Sequence, residues 1–325
     1  MKLILVTNIL EHAGFEDFVR DALAHHPDAR FLVAGDLLNV FPEPGEDLDG
    51  SIYRDIHGSE DIHRGMAELL QTRLQAPASS AFVAPLKAMF SPTGKTFKIA
   101  QKIARERYRS FFERLAGHIE RYSSKFLFIP GNMDYPYLAQ DAISRCEERF
   151  VQIDVDHFER DGVRIGGLGG IPNTAHPFRG VTEISPYEMA ASEYDRRLAS
   201  IAGVDVLVTH LSPAEHPPLA EFARAHALKF LVCRAPFDFR READFRGELG
   251  CSLLDGTVVI QVRPFEHPVN TFCMLSLGED VAGGARIETY RWQAPDIVRI
   301  GDVQLPATRQ LRQGSAPHTA VLPGA

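Results

Sequence analysis

The chain has 325 residues, of which 45% are hydrophobic and 24% are charged, a composition typical of a globular protein with a sizeable core. A formal net charge of -8 argues against a nucleic-acid-binding protein, which needs a basic face. None of the four cysteines forms a C-x-x-C pair, so a zinc knuckle or a thioredoxin-like site is not supported. No apolar stretch reaches the length of a membrane span, and scattered cysteines fit reduced thiols, so a cytoplasmic location is expected.

The N-terminal segment is predicted to form the first strand, helix and strand of an α/β unit. The apolar run MKLILV is followed by the polar residues Thr7 and Asn8 and by no signal-peptide cleavage site, so it predicts a buried strand. The run ARFLVAG predicts a second strand, which ends just before Asp36. Between the two, FEDFVRDALAHH predicts a helix with one apolar face, formed by Phe15, Phe18, Val19, Ala22 and Leu23. Strand, helix and strand in this order indicate an α/β fold.

A helical insertion is predicted at about residues 41–124. It opens with FPEPGEDLDG, in which proline, glycine and acidic residues indicate a loop. Apolar residues then recur at helical spacing within residues 62–70 and 97–119, and no strand-like alternation is present. We expect this insertion to cap one side of the sheet.

The α/β pattern resumes after the insertion and gives way to alternating strands. The segments KFLFIPGN, GVRIGGLGG, VDVLVTHLSP and LKFLVC predict strands, and SPYEMAASEYDRRLASIA predicts a helix that starts at its Ser-Pro pair. Alternation in GTVVIQVRP, NTFCMLSLG and ARIETYRWQ predicts antiparallel strands. We expect one domain over residues 1–300 and a flexible tail over residues 301–325.

Three predicted strands end in side chains that can bind a metal. Asp36 follows FLVAG, Asn132 follows FLFIPG, and His210 follows VLVT. Singly, each is compatible with an ordinary turn, a helix cap or a hydrogen-bonded core histidine. Ligands of open α/β sheets gather beyond the carboxyl ends of the strands, where these three side chains can meet. A carboxylate, an amide oxygen and an imidazole together suit Mn, Fe or Zn.

The order of these motifs resembles the calcineurin-like metallophosphoesterase superfamily. The matching blocks are GDLLN (Gly35, Asp36, Asn39), GNMD (Gly131, Asn132, Asp134), THLSP (Thr209, His210, Pro213) and the glycine-rich strand end GLGGIPNT. The resemblance covers residues 1 to about 290, apart from the insertion. It implies a four-layer α/β/β/α sandwich, two metals bridged by Asp36, and hydrolysis of phosphoesters or related anhydrides.

The chain also departs from the family pattern. In place of the first block, D-x-H, it has Asn8 and Leu10 at the two ligand positions. Ala235 and Phe237 stand where the late histidine pair is expected, and Met133 replaces the histidine that the family uses to protonate the leaving group. Leucine, alanine and phenylalanine cannot bind a metal. The resemblance therefore implies an incomplete dinuclear site.

The two metal positions implied by the resemblance are affected unequally. The second position keeps Asp36, Asn132 and His210, whereas the first keeps only Asp36, with Asn8 as a neutral substitute. We expect these four residues to be the metal ligands, and Asp36, Asn132, His210 and Asp134 to be the catalytic candidates. The cofactor is then one divalent metal (Mn, Fe or Zn) or none.

Two ways to compensate for the missing ligands remain open. Other ligands can take their place, with candidates at His12, His57, Asp61, His63 and His176, although each also fits a solvated loop residue. Alternatively, the guanidinium of Arg234, at the end of LKFLVC, fills the space of the first metal and pairs with Asp36. Arg234 and Arg179 are in that case the candidate residues for binding a phosphorylated ligand.

These observations lead to three hypotheses about function. The first is a metallophosphoesterase-like protein with a degenerate site, which lacks ordinary two-metal activity and binds a phosphorylated small molecule or a partner protein. The second is an active hydrolase that uses one metal at Asp36, Asn132 and His210, or relocated ligands. The third is a structural subunit that docks through its insertion. Neither a nucleic acid nor a membrane is expected as a partner.

Overall fold

A computed structural model of the chain describes residues 1–10, 14–38, 95–146, 148–174, 185–235, 250–265, 271–278, 285–305 and 320–321. Five helices lie in these ranges: α1 (Phe15–His25), α2 (Lys95–Arg121), α3 (Pro136–Ile143), α4 (Ala191–Ser200) and α5 (Pro218–Ala225). The described strands are β1 (Lys2–Val6), β2 (Ala29–Ala34), β3 (Phe126–Ile129), β4 (Phe150–Gln152), β5 (His157–Arg160), β6 (Val163–Leu168), β7 (Ile171–Pro172), β8 (Glu188–Met189), β9 (Val206–Thr209), β10 (Phe230–Arg234), β11 (Gly250–Leu254), β12 (Thr257–Val262), β13 (Thr271–Leu277), β14 (Ala285–Gln293), β15 (Asp296–Leu305) and β16 (Ala320–Val321). The chain is a mixed α/β protein.

Two seven-stranded sheets contain most of these strands. The first has the order β15-β14-β13-β1-β2-β3-β4, with parallel pairing from β1 to β4 and antiparallel pairing from β1 to β15. The second has the order β16-β11-β12-β10-β9-β6-β5 and is parallel from β12 to β6. The segment GTVVIQVRP was expected to be antiparallel, and its strand β12 is so only towards β11, since it runs parallel to β10.

Strand β2 illustrates how apolar alternation builds the core. Its residues Phe31 and Val33 belong to a cluster with helices α1, α2 and α3, whereas Leu32 and Ala34 belong to a cluster that contains residues of both large sheets. Successive side chains of a strand point to opposite faces, so an uninterrupted apolar run buries both faces. A third cluster joins α4 and α5 to the second sheet. The parallel strands are therefore covered on two sides, and their carboxyl ends carry the polar residues.

Helix α1 agrees with the sequence prediction, but the next predicted helices differ in their bounds. All five apolar residues predicted for one face of α1 are buried. The helix predicted from the Ser-Pro pair begins only at Ala191, because residues 185–190 form a turn and the short strand β8. Within the predicted insertion, residues 95–121 form α2, whose buried face packs against α1 and α3, and residues 41–94 lie outside the described part.

The C-terminal segment contains strand structure where a flexible tail was predicted. Residues 301–305 complete β15, and Ala320–Val321 pairs with β11. Backbone pairing overrides the high Pro, Gly and Gln content there, and the other residues after 305 lie outside the described part. None of the described helices is long and apolar enough to cross a membrane.

Candidate functional site

The predicted residues Asp36, Asn132 and His210 lie together at the carboxyl ends of the parallel strands. The Nε2 atom of His210 is 3.4 Å from Asp36 Oδ2 and 3.1 Å from Asn132 Oδ1. Asp36 and Asn132 follow neighbouring strands of the first sheet, and His210 follows β9 of the second. The side chains of Asp36 and His210 are almost completely buried. The two sheets thus bring together donors that are far apart in the sequence.

The hydrogen bonds of His210 determine what its ring presents to Asp36 and Asn132. Its Nδ1 lies 2.8 Å from the carbonyl oxygen of Ala34, which can only accept, so Nδ1 carries a proton. In the neutral ring, Nε2 then has a free lone pair that faces two oxygen acceptors. Three acceptors at such distances repel one another. A proton on Nε2, a metal cation, or rotation of the Asn132 amide so that its N–H faces Nε2 relieves this repulsion.

A single divalent cation fits this donor set. Two ligands at about 2.1 Å from one ion lie about 3.0 Å apart at an octahedral angle and about 3.4 Å apart at a tetrahedral angle. The separations of 3.1 Å and 3.4 Å fall in this range. The proton on Nδ1, held by a backbone carbonyl, is the usual outer-sphere arrangement of a metal-binding histidine. Asp36, Asn132 and His210 are therefore suited to hold Mn, Fe or Zn.

Among the described residues, the position that the resemblance implies for a first metal lacks such a set. Asn8 turns its amide nitrogen towards Asp36, with Nδ2 at 3.3 Å from Oδ2, and its oxygen accepts from the Thr7 hydroxyl at 2.9 Å. Asn8 thus orients the carboxylate, and its oxygen is not directed at the site as a ligand should be. The side chains of Leu10 and Ala235 have no atom that can bind a metal. Among the described residues, no three His, Cys, Asp or Glu side chains form a metal-binding group.

Two glycines allow the close approach of the strand ends. A Cβ on Gly131 would collide with the backbone nitrogen and carboxylate of Asp36, and a Cβ on Gly35 would collide with the ring of His210. Gly35 has a φ of +95°, and Asp36 follows it with a φ of 53°, in the left-handed region. Non-glycine residues with positive φ are uncommon, and they concentrate at functional sites.

The electrostatics of Asp36 favour its ionised form. Burial raises the pKa of this carboxyl, but His210, the Met133 amide and Arg234 outweigh burial and hold the pKa below its ordinary value. The Met133 N–H donates to Asp36 Oδ1 at 3.0 Å. Met133, which stands where the resemblance predicts a histidine, thus contributes a backbone donor. Its thioether has no proton to give to a leaving group.

Asp134, a catalytic candidate from the sequence, is enclosed by donors of the protein. It is fully buried and accepts hydrogen bonds from the backbone N–H groups of Gly131, Leu37 and Leu38 and from the hydroxyl of Tyr108. Burial and the charge of Asp36 raise the pKa of Asp134 to about 7. Protein donors surround the carboxyl, which joins the loops after β2 and β3 to α2. The geometry therefore favours a structural role over the predicted catalytic one.

Arg234 is buried beside the site and forms an ion pair with Glu215. Its Nη2 donates to Glu215 Oε1 at 2.7 Å, while the other oxygen of Glu215 accepts from the backbone and hydroxyl of Ser212. The sequence-based hypothesis paired Arg234 with Asp36, whereas in the structure Arg234 pairs with Glu215. The charge of Arg234 still lowers the pKa of Asp36.

Several predicted residues lie outside the described part of the chain. They are Asn39, Arg179, Phe237 and the proposed replacement ligands His12, His57, Asp61, His63 and His176.

A second polar network beside Asn132 was not predicted from the sequence. The Tyr187 backbone N–H donates to the Asn132 carbonyl at 3.1 Å, and the Tyr187 hydroxyl donates to Asp154, whose other oxygen accepts from Gly169. Arg197 donates to the same hydroxyl at 2.6 Å. Asp154 follows β4, so an acid after a strand was an available signal. Tyr187 fell within a predicted helix, which concealed its role.

Comparison with known proteins is limited to the overall structure. No protein-family model and no curated protein matches the sequence. One solved structure has a TM-score of 0.49 and 11% identity, and the match covers 94% of this chain and 98% of that one. The structure of TT1561 from Thermus thermophilus has a TM-score of 0.46 and 11% identity, over 92% of this chain and 98% of that one. At this level of similarity, neither structure assigns a function to the chain.

Proposed function

We propose that the chain is a divergent metallophosphoesterase-like protein that binds a phosphorylated ligand and lacks ordinary two-metal hydrolysis. The proposal includes a four-layer α/β/β/α arrangement, with the two large sheets in the middle. It also includes at most one divalent cation, held by Asp36, Asn132 and His210. A phosphorylated small molecule is the preferred ligand, and a phosphorylated partner protein is the other candidate.

The unequal surroundings of Asp36 carry this proposal. On one side, His210 and Asn132 direct donor atoms towards the carboxylate at distances compatible with one ion. On the other side, Asn8 donates its amide N–H to the same carboxylate, and the side chain of Leu10 has no atom that can bind a metal. Two-metal hydrolysis needs ions that stabilise both the attacking and the leaving oxygen. The described residues supply ligands for one ion.

The residues of the site would divide the work of binding. When bound, the cation would supply positive charge for the oxygens of a phosphate group. Asn8 and the Met133 amide hold the Asp36 carboxylate in place, and the Ala34 carbonyl holds the His210 ring. Arg234, paired with Glu215, adds positive charge near Asp36. Burial of Asp36 and His210 excludes water and strengthens these electrostatic interactions.

Metal content and ligand binding test the proposal together. We would remove metals with a chelator, titrate Mn²⁺ or Zn²⁺, and measure bound metal and the affinity for phenyl phosphate. At most one ion per chain is expected. His210→Ala should weaken binding of both metal and phenyl phosphate by about tenfold or more, because changes to metal-site residues that are not even ligands already cost about 10–100-fold. The exposed His157→Ala is the matched control and should bind like the wild type.

Two results would reject the proposal. One is two ions per chain with turnover of phenyl phosphate that requires both. The other is phenyl phosphate binding that His210→Ala and Asp36→Asn leave unchanged, since the ligand would then bind elsewhere.

A hydrolase with one metal is the second candidate function. The convergence of Asp36, Asn132 and His210 on a possible cation position favours it. It predicts slow release of phosphate from phenyl phosphate that saturates at one ion per chain and disappears in His210→Ala. Tight binding without release of phosphate favours the first candidate.

A further inference from the structure

A cavity of about 470 Å³ lies at the end of the sheets opposite to Asp36. It is located at the amino ends of β1 and β2 and beside the end of β5, so both large sheets contribute to its wall. The residues that matter here are Lys2, Asp28, Arg30, Tyr122, Arg160 and Asp161. Its volume falls within the range of small-molecule sites, which is about 300–1,000 Å³.

Arg30 is the unusual residue of this cavity. It lies in β2 between Ala29 and Phe31, which face the helices, so its side chain points to the face of Leu32 and Ala34 between the sheets. Only 9% of Arg30 is exposed. Within the described ranges, its Nε has no hydrogen-bond partner. A buried guanidinium in the interior normally has such partners.

The other charges of the cavity are already paired. Lys2 lies 2.9 Å from Asp28, and Arg160 lies 3.8 Å from Asp161. Three basic and two acidic side chains thus leave one positive charge, that of Arg30, in a chain with a net charge of -8. The N-terminal ammonium of Met1, which donates to the Leu277 carbonyl, adds a further positive charge to the lining. Burial and the nearby Arg160 lower the pKa of Arg30, whereas the charges of Asp161 and Asp28 act in the opposite direction.

We propose that this cavity is an anion site that binds a small organic molecule through a phosphate or carboxylate group, with Arg30 as the buried anchor. An arginine fork binds either oxyanion in a bidentate manner, and a buried charge gains most from an ionic partner. Arg160 supplies a second cation from the other sheet, and the ring of Tyr122 offers an apolar wall for the rest of the molecule. The site is separate from the Asp36 site and does not depend on its function.

Inorganic phosphate is the first probe, and His210→Ala is the parent protein because the Asp36 site is disabled in it. We would measure phosphate binding by isothermal titration, and the melting temperature with and without phosphate. Phosphate should bind to the parent and raise its melting temperature. Adding Arg30→Gln should weaken phosphate binding by about tenfold or more, because a hydrogen-bonded charge is lost. The exposed Arg224→Gln is the matched control and should bind phosphate like the parent.

Folding of the variant is checked in the same experiment. Arg30→Gln removes a buried charge whose Nε has no hydrogen-bond partner among the described residues, so its melting temperature without phosphate should equal or exceed that of the parent. An equal phosphate response in the Arg30→Gln variant and its parent would overturn the proposal. So would the absence of any response to phosphate, acetate and phenyl phosphate in the parent. Loss of the response in Arg30→Gln supports the anion site even if His210→Ala does not affect ligand binding, in which case only the proposed function fails.

Two further probes identify the ligand chemistry. Stronger binding of phosphate than of acetate indicates a phosphorylated molecule, and the reverse indicates a carboxylate. Phenyl phosphate that binds more tightly than inorganic phosphate supports an organic ligand that fills the cavity. Binding of inorganic phosphate alone, with phenyl phosphate excluded, would overturn the proposed ligand class.

Discussion

The two ends of strand β2 hold buried charges of opposite sign, and the protein treats them differently. At the carboxyl end, Asp36 accepts hydrogen bonds from Asn8 and the Met133 amide and lies beside His210. At the amino end, the Nε atom of Arg30 has no hydrogen-bond partner within the described ranges. A buried charge that the protein itself compensates can be retained for structure alone. One that lacks compensation implies that a ligand or ordered water completes it.

The largest expected effect of a substitution is at Asp134, at the carboxyl end. Asp134→Ala leaves the N–H groups of Gly131 and Leu37 and the Tyr108 hydroxyl without their acceptor. Each unsatisfied buried donor costs about 1–3 kcal/mol, so the free energy of unfolding should fall by roughly 3–5 kcal/mol. Chemical denaturation measures this loss. The exposed Asp141→Ala should change stability little, and a loss below about 1 kcal/mol at Asp134 would contradict the role assigned to its carboxyl.

A smaller loss is expected at Gly131, where the strand ends approach each other. Gly131→Ala places a methyl group against the backbone and carboxylate of Asp36, and such overpacking costs about 1–3 kcal/mol. Because Asp36 must shift, phenyl phosphate binding should weaken as well. Gly117→Ala is the control, since that site on α2 is open and alanine should add about 0.5–1 kcal/mol of stability. Equal behaviour of the two variants would show that the close approach is unimportant.

The smallest expected effect is a gain at the amino end. Ser123 follows α2 with a φ of 49°, and Ser124 N–H bonds to the Ile119 carbonyl, as in a helix end that favours glycine. Ser123→Gly removes the strain of a left-handed serine, partly offset by the freedom of glycine in the unfolded chain, so about 0.5–1 kcal/mol should be gained. Ser144→Gly, at a helix end with a φ of -56°, should bring no gain.

The response to phosphate tests the Ser123 turn in a second way. Ser123 is one of the residues that line the Arg30 cavity. If Arg30 is the anchor, Ser123→Gly should keep the shift in melting temperature that phosphate causes in the His210→Ala parent. Loss of that shift would mean that the turn, and not the guanidinium, binds the anion.

Strand ends were the part of the site that sequence could indicate, because a polar residue after an apolar run is visible in one dimension. Asp36, Asn132 and His210 were found in this way, and the structure brings them together. Tyr187 was not found, because a Ser-Pro start and helical spacing outweighed the turn that the fold imposes. Arg30 was not found either, since one arginine at the start of a strand has no distinguishing pattern.

The sequence by itself determined the alternation of strands and helices, the buried face of α1 and the absence of a charged metal ligand at Asn8 and Leu10, because these depend on local spacing and side-chain chemistry. Only the tertiary structure decided that Asp134 is enclosed by backbone donors, that Arg234 pairs with Glu215, and that Arg30 is buried between the sheets. These facts depend on the packing of distant segments. Burial and the supply of partners from elsewhere in the chain, which decide whether a charge needs a ligand, are properties of that packing.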